Sequence, residues 1–308
     1  MEVSSHALDQ DRVAGIGFHS AIFTNLTQDH LDYHHDLADY FQAKSRLFRN
    51  LSRGAFAVIN NDDAYGRKLK KLTSAKIITY GIEKKSDLVA TDLSLGIQGS
   101  GFILLSPEGK IKFNIALIGR HNVYNVLAVL AWARKAGWDM RLVKNALEKF
   151  SFVPGRLEKI AAGDFSVFVD YAHTEDALSN AISSLRQLGS GRVIVVFGCG
   201  GERDKSKRPK MGRVVSKLAD FFIITNDNPR GEDPDQIIQD IKRGIHKNNY
   251  CLIPGRREAI KKSISLARAG DIILVAGKGH ESCQILKDRT IPFDDCRVVK
   301  ECLRSLKF

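Results

Sequence analysis

Carboxylates and imidazoles crowd one short stretch of this sequence, Asp29-His30-Leu31-Asp32-Tyr33-His34-His35, directly after an apolar run of strand length at 20–26. A strand-to-helix loop of that composition could hold a divalent cation through oxygen and imidazole ligands. It reads equally well as an exposed polar loop whose histidines do nothing. Lys44 follows within a helical stretch at 37–50, where a plain surface lysine is the simplest reading. In the second half, Gly198-Cys199-Gly200-Gly201 follows another apolar run and could bring backbone amides close to a phosphate or carboxylate. It departs from GxGxxG, and no ribose-binding acid stands at the expected distance, which argues against a dinucleotide site. In Asp227-Asn228-Pro229-Arg230 the proline fixes a turn that presents Arg230 rigidly, and a guanidinium so held can pair with both oxygens of a carboxylate. A solvated arginine on a turn is the plainer alternative. Gly277-Lys278-Gly279-His280-Glu281 ends a further strand, its two glycines allowing close approach and Glu281 able to hold an ammonium. An arginine and a glutamate on one rim describe a pocket for an amino acid.

The elements that must position these residues alternate clearly from 155 onward. Apolar, β-branched runs at 165–173, 192–198, 219–226 and 271–277 alternate with stretches of helical spacing at 175–188, 209–218, 234–245 and 256–268. This repetition predicts a mainly parallel sheet with helices on both faces, with ligands beyond the carboxyl ends of the strands. The first half is less regular. Strands are expected at 20–26 and 55–60 with the 37–50 helix between them, and hairpin structure over 76–116. Two helices follow at 122–136 and 140–150, the second N-capped by Asp139. Val153-Pro154-Gly155 marks the boundary, giving domains at 1–154 and 155–308.

The chain has 308 residues, 44% hydrophobic and 27% charged, the mix of a globular protein with room for two cores. No apolar run approaches a membrane span and no secretory signal is visible at the start, so the expectation is a cytoplasmic protein without membrane contact. Five scattered cysteines form no CxxC pair and read as reduced thiols. Lysine and arginine exceed aspartate and glutamate by 47 to 35, a formal charge of +12. Lys68, Lys70 and Lys71 read as a solvated face. Lys205, Lys207, Arg208 and Lys210, beside the glycine-rich loop, are expected to serve anionic ligands. No aromatic-interleaved basic stretch suggests nucleic-acid binding.

Nine segments together resemble the Mur ligase family, in its diaminopimelate-adding MurE type. They are MEVSSH (1–6), TNLTQDHLDYH (24–34), AKSRLF around Lys44, GRHNVYNVLA (119–128), VPGRLE (153–158), VDYAHTEDAL (169–178), FGCGGERDKSKRPKM (197–211), DNPR (227–230) and AGKGHE (276–281). Content, order and spacing all match, from the first residue nearly to the last. The resemblance implies an α/β protein, a central Mur ligase domain with a mixed sheet followed by a Rossmann-like domain with a mainly parallel one. It also implies ATP-dependent addition of meso-diaminopimelate to UDP-MurNAc-L-Ala-D-Glu through an acyl phosphate, for peptidoglycan precursor synthesis. Carried over by position, Glu2 and His30 match the magnesium ligands, and Lys44 the lysine whose carbamate helps to hold a second magnesium. Ser4, Gln10 and Arg12 match contacts to the UDP-sugar peptide, Asn122 and Asn125 contacts to the nucleotide base, Arg156 a position near the phosphates and Asp170 one near the ribose. Arg203, Asp227, Asn228, Pro229, Arg230, Gly277 and Glu281 match the pocket for the incoming amino acid. Arg230 carries the discrimination, because lysine-adding relatives generally lack it and lysine would leave a desolvated guanidinium unpaired.

The family also has an N-terminal uridine-binding domain and a GTxGKT phosphate loop. No GxxxxGK[ST] occurs in the 308 residues. The expectation is therefore a truncated central domain opening at the strand end that carries Glu2. Its sheet should have an open edge, and it should not ligate efficiently unless an upstream segment or separate chain supplies the rest. A non-catalytic remnant that binds diaminopimelate or precursor is the competing reading. A nicotinamide oxidoreductase and a nucleic-acid binder rank below both.

Overall fold

The computed structural model describes residues 1–27 and 33–305. The chain divides into two compact units, Met1–Ser151 and Phe152–Phe308.

The first unit contains, in order, α1 (Ser5–Asp9), β1 (Ser20–Phe23), α2 (Leu37–Arg49), β2 (Phe56–Asn60), α3 (Ala64–Leu69), β3 (Lys76–Gly81), β4 (Leu88–Gly96), β5 (Gly99–Ser106), β6 (Gly109–Ile115), α4 (Arg120–Lys135) and α5 (Met140–Lys149). Its sheet has the order β1-β2-β3-β4-β5-β6, with β1 at one edge. β1 to β4 pair parallel and β4 to β6 form an antiparallel meander. β2 is apolar from Phe56 to Ile59 because both of its faces are covered: Phe56 and Val58 join the cluster around α4, while Ala57 and Ile59 join the one around α2. Aspartates start the helices: Asp36, Asp63 and Asp139 each accept from backbone amides of the first turn. The hairpins expected over 76–116 are β4 to β6; one part of that expectation is corrected, because β3 at the start of the span pairs parallel with both β2 and β4. Residues 1–4 form no strand.

The second unit contains β7 (Glu158–Ala162), β8 (Ser166–Asp170), α6 (Glu175–Arg186), β9 (Val193–Phe197), α7 (Lys207–Leu218), β10 (Phe221–Ile224), α8 (Pro234–Lys242), β11 (Tyr250–Leu252), α9 (Arg256–Leu266), β12 (Ile272–Ala276), β13 (Cys283–Ile285), β14 (Thr290–Pro292) and α10 (Asp295–Ser305). The sheet order is β11-β10-β9-β12-β8-β7, parallel except for β7. Val167, Val169, Ile194, Val196, Ile223, Ile273 and Val275 pack on one face with α9 and α10. α6 and α7 contact the strands from outside that cluster. A parallel sheet covered on both faces has one consequence for function. β8, β9, β10 and β12 all end at the same rim, and the loops after them gather there.

Candidate functional site

The loops after β10 and β12 are bound to one another by backbone as well as side chains. Gln284 Nε2 donates to the Asp227 carbonyl at 2.6 Å, and Arg230 N to the Ile285 carbonyl at 3.1 Å. Ile285 N donates to Asn228 Oδ1 at 3.0 Å. Asn228 Nδ2 in turn donates to Glu281 Oε2 at 2.9 Å. Arg230 has φ +53°, a left-handed conformation unusual for a side-chain-bearing residue and imposed by these ties. The glycine-rich loop after β9 lies against the same segment. A Cβ at Gly201 would stand 2.0 Å from the Pro229 carbonyl oxygen, and one at Gly198 2.2 Å from that of Thr225. Arg230 Nη1 donates to the Gly201 carbonyl at 2.7 Å. Among the described residues its Nε and Nη2 meet no acceptor, so half of the fork stays available to a carboxylate. Arg203 is exposed, its Cγ also near Gly200. An open groove of about 400 Å³ runs beside Arg230, between 229–234 and 286–288.

Two buried cations stand behind these loops, neither singled out by its surroundings in sequence. Lys278 is fully buried and its Nζ donates to Asn228 Oδ1 at 3.0 Å and Glu281 Oε2 at 2.8 Å. Arg256 pairs through Nε and Nη2 with both oxygens of the fully buried Asp295, at 2.8 and 2.6 Å. Its Nη2 also donates to the Ala276 carbonyl at 2.9 Å, and its Nη1 lies 4.0 Å from Asp227. Burial pushes the Glu281 carboxyl upward, but the hydrogen bonds from Lys278 and Asn228 more than offset this and hold it below the ordinary glutamate value. Gly277 has φ +117°, and a Cβ there would lie 2.7 Å from Asp227 Oδ2. The arrangement thus places guanidinium donors and fixed carboxylates on one rim, a combination chemically suited to carboxylate and ammonium groups.

Arg208 corrects an expectation. It is fully buried, donating to Asp240 Oδ2 at 3.0 Å, Glu232 Oε1 at 3.1 Å and the Gly200 carbonyl at 3.3 Å. It braces the glycine-rich loop and offers no charge to an anionic ligand. Sequence spacing could not separate it from Lys205, which is exposed.

At the start of the unit, Gly155 (φ +64°) fits a gap in which a Cβ would stand 2.2 Å from the His280 backbone nitrogen. The Arg156 guanidinium lies 4.8 Å over the Tyr171 ring, which also contacts His173 and His280. Asp170, at the end of β8, is 8% exposed and accepts from the amides of Leu157 (2.7 Å) and Ala172 (2.8 Å). Burial raises its carboxyl above the ordinary aspartate value, the two amides opposing that shift. The expected ribose residue is therefore already engaged in holding the 153–158 turn.

In the first unit, Ser4 caps α1 through Oγ, Gln10 Nε2 donates to Tyr33 Oη at 3.3 Å, and Glu2 and Arg12 are exposed. Lys44 lies on α2 with Nζ 5.3 Å from the Tyr40 ring centroid. His30 falls outside the described residues. Among the described residues no three His, Cys, Asp or Glu side chains converge as a cation site. Asn122 is 3% exposed and donates to the Ile118 carbonyl, while Asn125 Nδ2 donates to Asn122 Oδ1 at 3.2 Å. Asp62, unremarked in sequence, accepts from the amides of Ile82, Glu83 and Lys84 and from Tyr124 Oη, so it ties the β3–β4 loop to α4. The sequence-selected residues of the second unit thus lie at one rim, whereas those described in the first are dispersed over α1, α2 and α4.

The Mur ligase middle domain profile matches residues 1–133, and the profile described as Mur ligase, glutamate ligase domain, matches 155–279. The UDP-N-acetylmuramoyl-L-alanyl-D-glutamate--2,6-diaminopimelate ligase of Syntrophomonas wolfei subsp. wolfei is 46% identical over 311 residues, which span 99% of this chain and 64% of that protein. The Clostridium botulinum enzyme of the same name is 46% identical over 309 residues, spanning 99% of this chain and 63% of its own length. A solved structure of a ligase with that name aligns over 100% of this chain and 64% of its own, with a TM-score of 0.65 and 38% identity. The chain therefore spans about 64% of the length of these relatives. No helix among the described residues is long and apolar enough to cross a membrane.

Proposed function

The chain belongs to the Mur ligase family, and from that premise we propose that it forms part of an ATP-dependent ligase joining meso-2,6-diaminopimelate to UDP-MurNAc-L-Ala-D-Glu. The observation that carries the reading is the convergence of Arg230, Asn228, Asp227 and Glu281 through the 227–230 and 277–281 loops. Arg230 pairs with the distal carboxylate of the incoming amino acid, and Glu281 and Asp227 hold the ammonium that does not react. Gly277 keeps the backbone low beneath them, and Arg203 adds positive charge at the rim. Pro229 fixes the turn.

In this reading the D-glutamyl carboxylate oxygen attacks the γ-phosphorus of ATP, ADP leaves, and an acyl phosphate results. The neutral amine of diaminopimelate then attacks the acyl carbon, and the tetrahedral intermediate expels phosphate as the amide forms and the nitrogen loses its proton. Chemistry of this kind rests on positioning and electrostatic stabilisation. Asn125, oriented by Asn122, contacts the base. Arg156 on Tyr171 serves the phosphates, and Asp170 fixes the turn that carries it. Ser4, Gln10 and Arg12 serve the UDP-sugar peptide. Glu2, His30 and Lys44 as its carbamate would hold magnesium, which would supply charge neutralisation at the phosphates; as an ammonium over Tyr40, Lys44 is no ligand. A phosphate-cradling loop comes from outside these 308 residues, in an upstream segment or a separate chain.

Phosphate release with ATP, magnesium, UDP-MurNAc-L-Ala-D-Glu and meso-diaminopimelate tests the proposal, on the 308-residue chain and on the protein with the upstream region restored. Turnover is expected only in the restored form. Equal kcat/KM for lysine and diaminopimelate there would refute the substrate assignment. A second reading, a binding protein without turnover, is favoured for these 308 residues taken alone by the lack of GxxxxGK[ST] among them. It predicts diaminopimelate binding and no phosphate release even in the restored form.

A further inference from the structure

Lys278 is the one lysine of this unit whose ammonium is wholly withdrawn from solvent among the described residues, and it lies in the wall of the proposed amino-acid pocket. A buried ammonium needs acceptors, and its partners there are Asn228 Oδ1 and Glu281 Oε2, at 3.0 and 2.8 Å. Two consequences follow from donor chemistry alone. Lys278 has three donors and no acceptor, so together with Ile285 N it holds the Asn228 amide oxygen and leaves Nδ2 turned toward Glu281. The same ammonium cancels the charge of Glu281, whose side chain remains 31% exposed and is the part of this pair that a ligand can reach.

The rest of the rim carries Arg230 and the exposed Arg203 against Asp227, whose nearest cation, Arg256, is already committed to Asp295. With Glu281 cancelled, the rim favours a ligand bearing an extra carboxylate. Without Lys278, one more uncompensated carboxylate would face the ligand, repel an extra carboxylate and favour the ligand of higher net positive charge. We propose that Lys278 is a positioning residue that sets selectivity between a diamino dicarboxylate and a diamino monocarboxylate, by fixing Asn228 and neutralising Glu281. The inference rests on the amino-acid reading of this pocket.

The experiment is an NMR titration of the 308-residue chain at low ionic strength with meso-diaminopimelate and, separately, L-lysine. Wild type is compared with Lys278→Met and with Lys278→Met/Glu281→Gln. Lys278→Met should weaken diaminopimelate and tighten lysine, moving the ratio of the two Kd values by about tenfold or more, as expected of one unit charge within a few ångströms in a half-buried site. The double variant, with both charges removed, should return the ratio most of the way to wild type. Tighter lysine binding is something a merely damaged pocket cannot produce. Equal weakening of both ligands, an unchanged ratio, or a double variant no different from the single would overturn the role of Lys278. If the wild-type chain bound neither amino acid, the amino-acid reading itself would fall, and this inference with it.

Discussion

Replacing Asp295 by asparagine removes one charge from the interior of the second unit while conserving volume. Arg256 and Asp295 are both fully buried, joined by two parallel hydrogen bonds at 2.8 and 2.6 Å across the N-terminal ends of α9 and α10. In the variant, one amide N–H would face a guanidinium N–H, and the nearest remaining carboxylate, Asp227, lies 4.0 Å away. Breaking a buried pair in this way costs about 3–5 kcal/mol. For a unit of this size that is a fall in Tm of roughly 6–20 °C. Calorimetry is the assay of choice, because Trp132 and Trp138, the only tryptophans, lie in the first unit and report the second only if the two unfold together. Arg256→Met/Asp295→Leu should recover most of the loss, since well-packed apolar replacements of a buried pair are close to neutral. A loss below about 1 kcal/mol for Asp295→Asn would refute the claim that this pair holds the rim from behind.

Gly155→Ala should destabilise by about 1–3 kcal/mol or more, because φ +64° is unfavourable for alanine and its Cβ would meet the His280 backbone; urea unfolding reads it, and a neutral result would mean that the 153–158 turn is not held against the 277–281 loop. Tyr124→Phe removes one of four hydrogen bonds on Asp62, with an expected cost of about 1–2 kcal/mol by urea unfolding and a rise in the Asp62 pKa. Glu281 has a folded pKa depressed below its ordinary 4.5, so its stabilising contribution is complete above that value and is lost as pH falls through the folded one. The stability difference between wild type and Glu281→Gln should therefore be flat from neutral pH down to about 5 and shrink below it. A difference that grew on acidification would reverse the assigned sign.

Periodicity made the second unit legible because its strands are apolar on both faces and alternate with stretches of helical spacing. The rim residues followed from topology, since a parallel sheet brings its carboxyl-end loops together whatever the loops contain. Charge pairing was not legible. Arg208 and Lys205 stand three residues apart in one basic run, yet one is fully buried between Asp240 and Glu232 and the other is exposed. Those acids lie 24 and 32 residues downstream, a separation that local pattern cannot bridge. Asp62 escaped for the same reason, because its amide donors belong to the loop after β3, about twenty residues further along. In the first unit the hairpins expected over 76–116 are present as β4 to β6, whereas β3 at the start of that span pairs parallel, because a short apolar run does not say whether its partner precedes or follows it.

The formal charge of +12 conceals a division of labour among cations. Arg208, Arg256 and Lys278 are fully buried, and each is matched by acids: Asp240 and Glu232, Asp295, and Glu281. Each also fixes loop geometry through an oxygen it binds, the Gly200 carbonyl, the Ala276 carbonyl and Asn228 Oδ1 respectively. A buried cation that lacked such acids would be expelled or neutralised, so its neighbours record what it does. Arg230 differs from these three. It spends Nη1 on Gly201 and Asn228 carbonyls, which cancel no charge, and the rest of its fork finds no acceptor among the described residues. A guanidinium rigidly held, partly desolvated and without an ion-pair partner among the described residues is costly unless a carboxylate arrives from outside. That imbalance, more than total charge, marks where an anionic group of the substrate should sit.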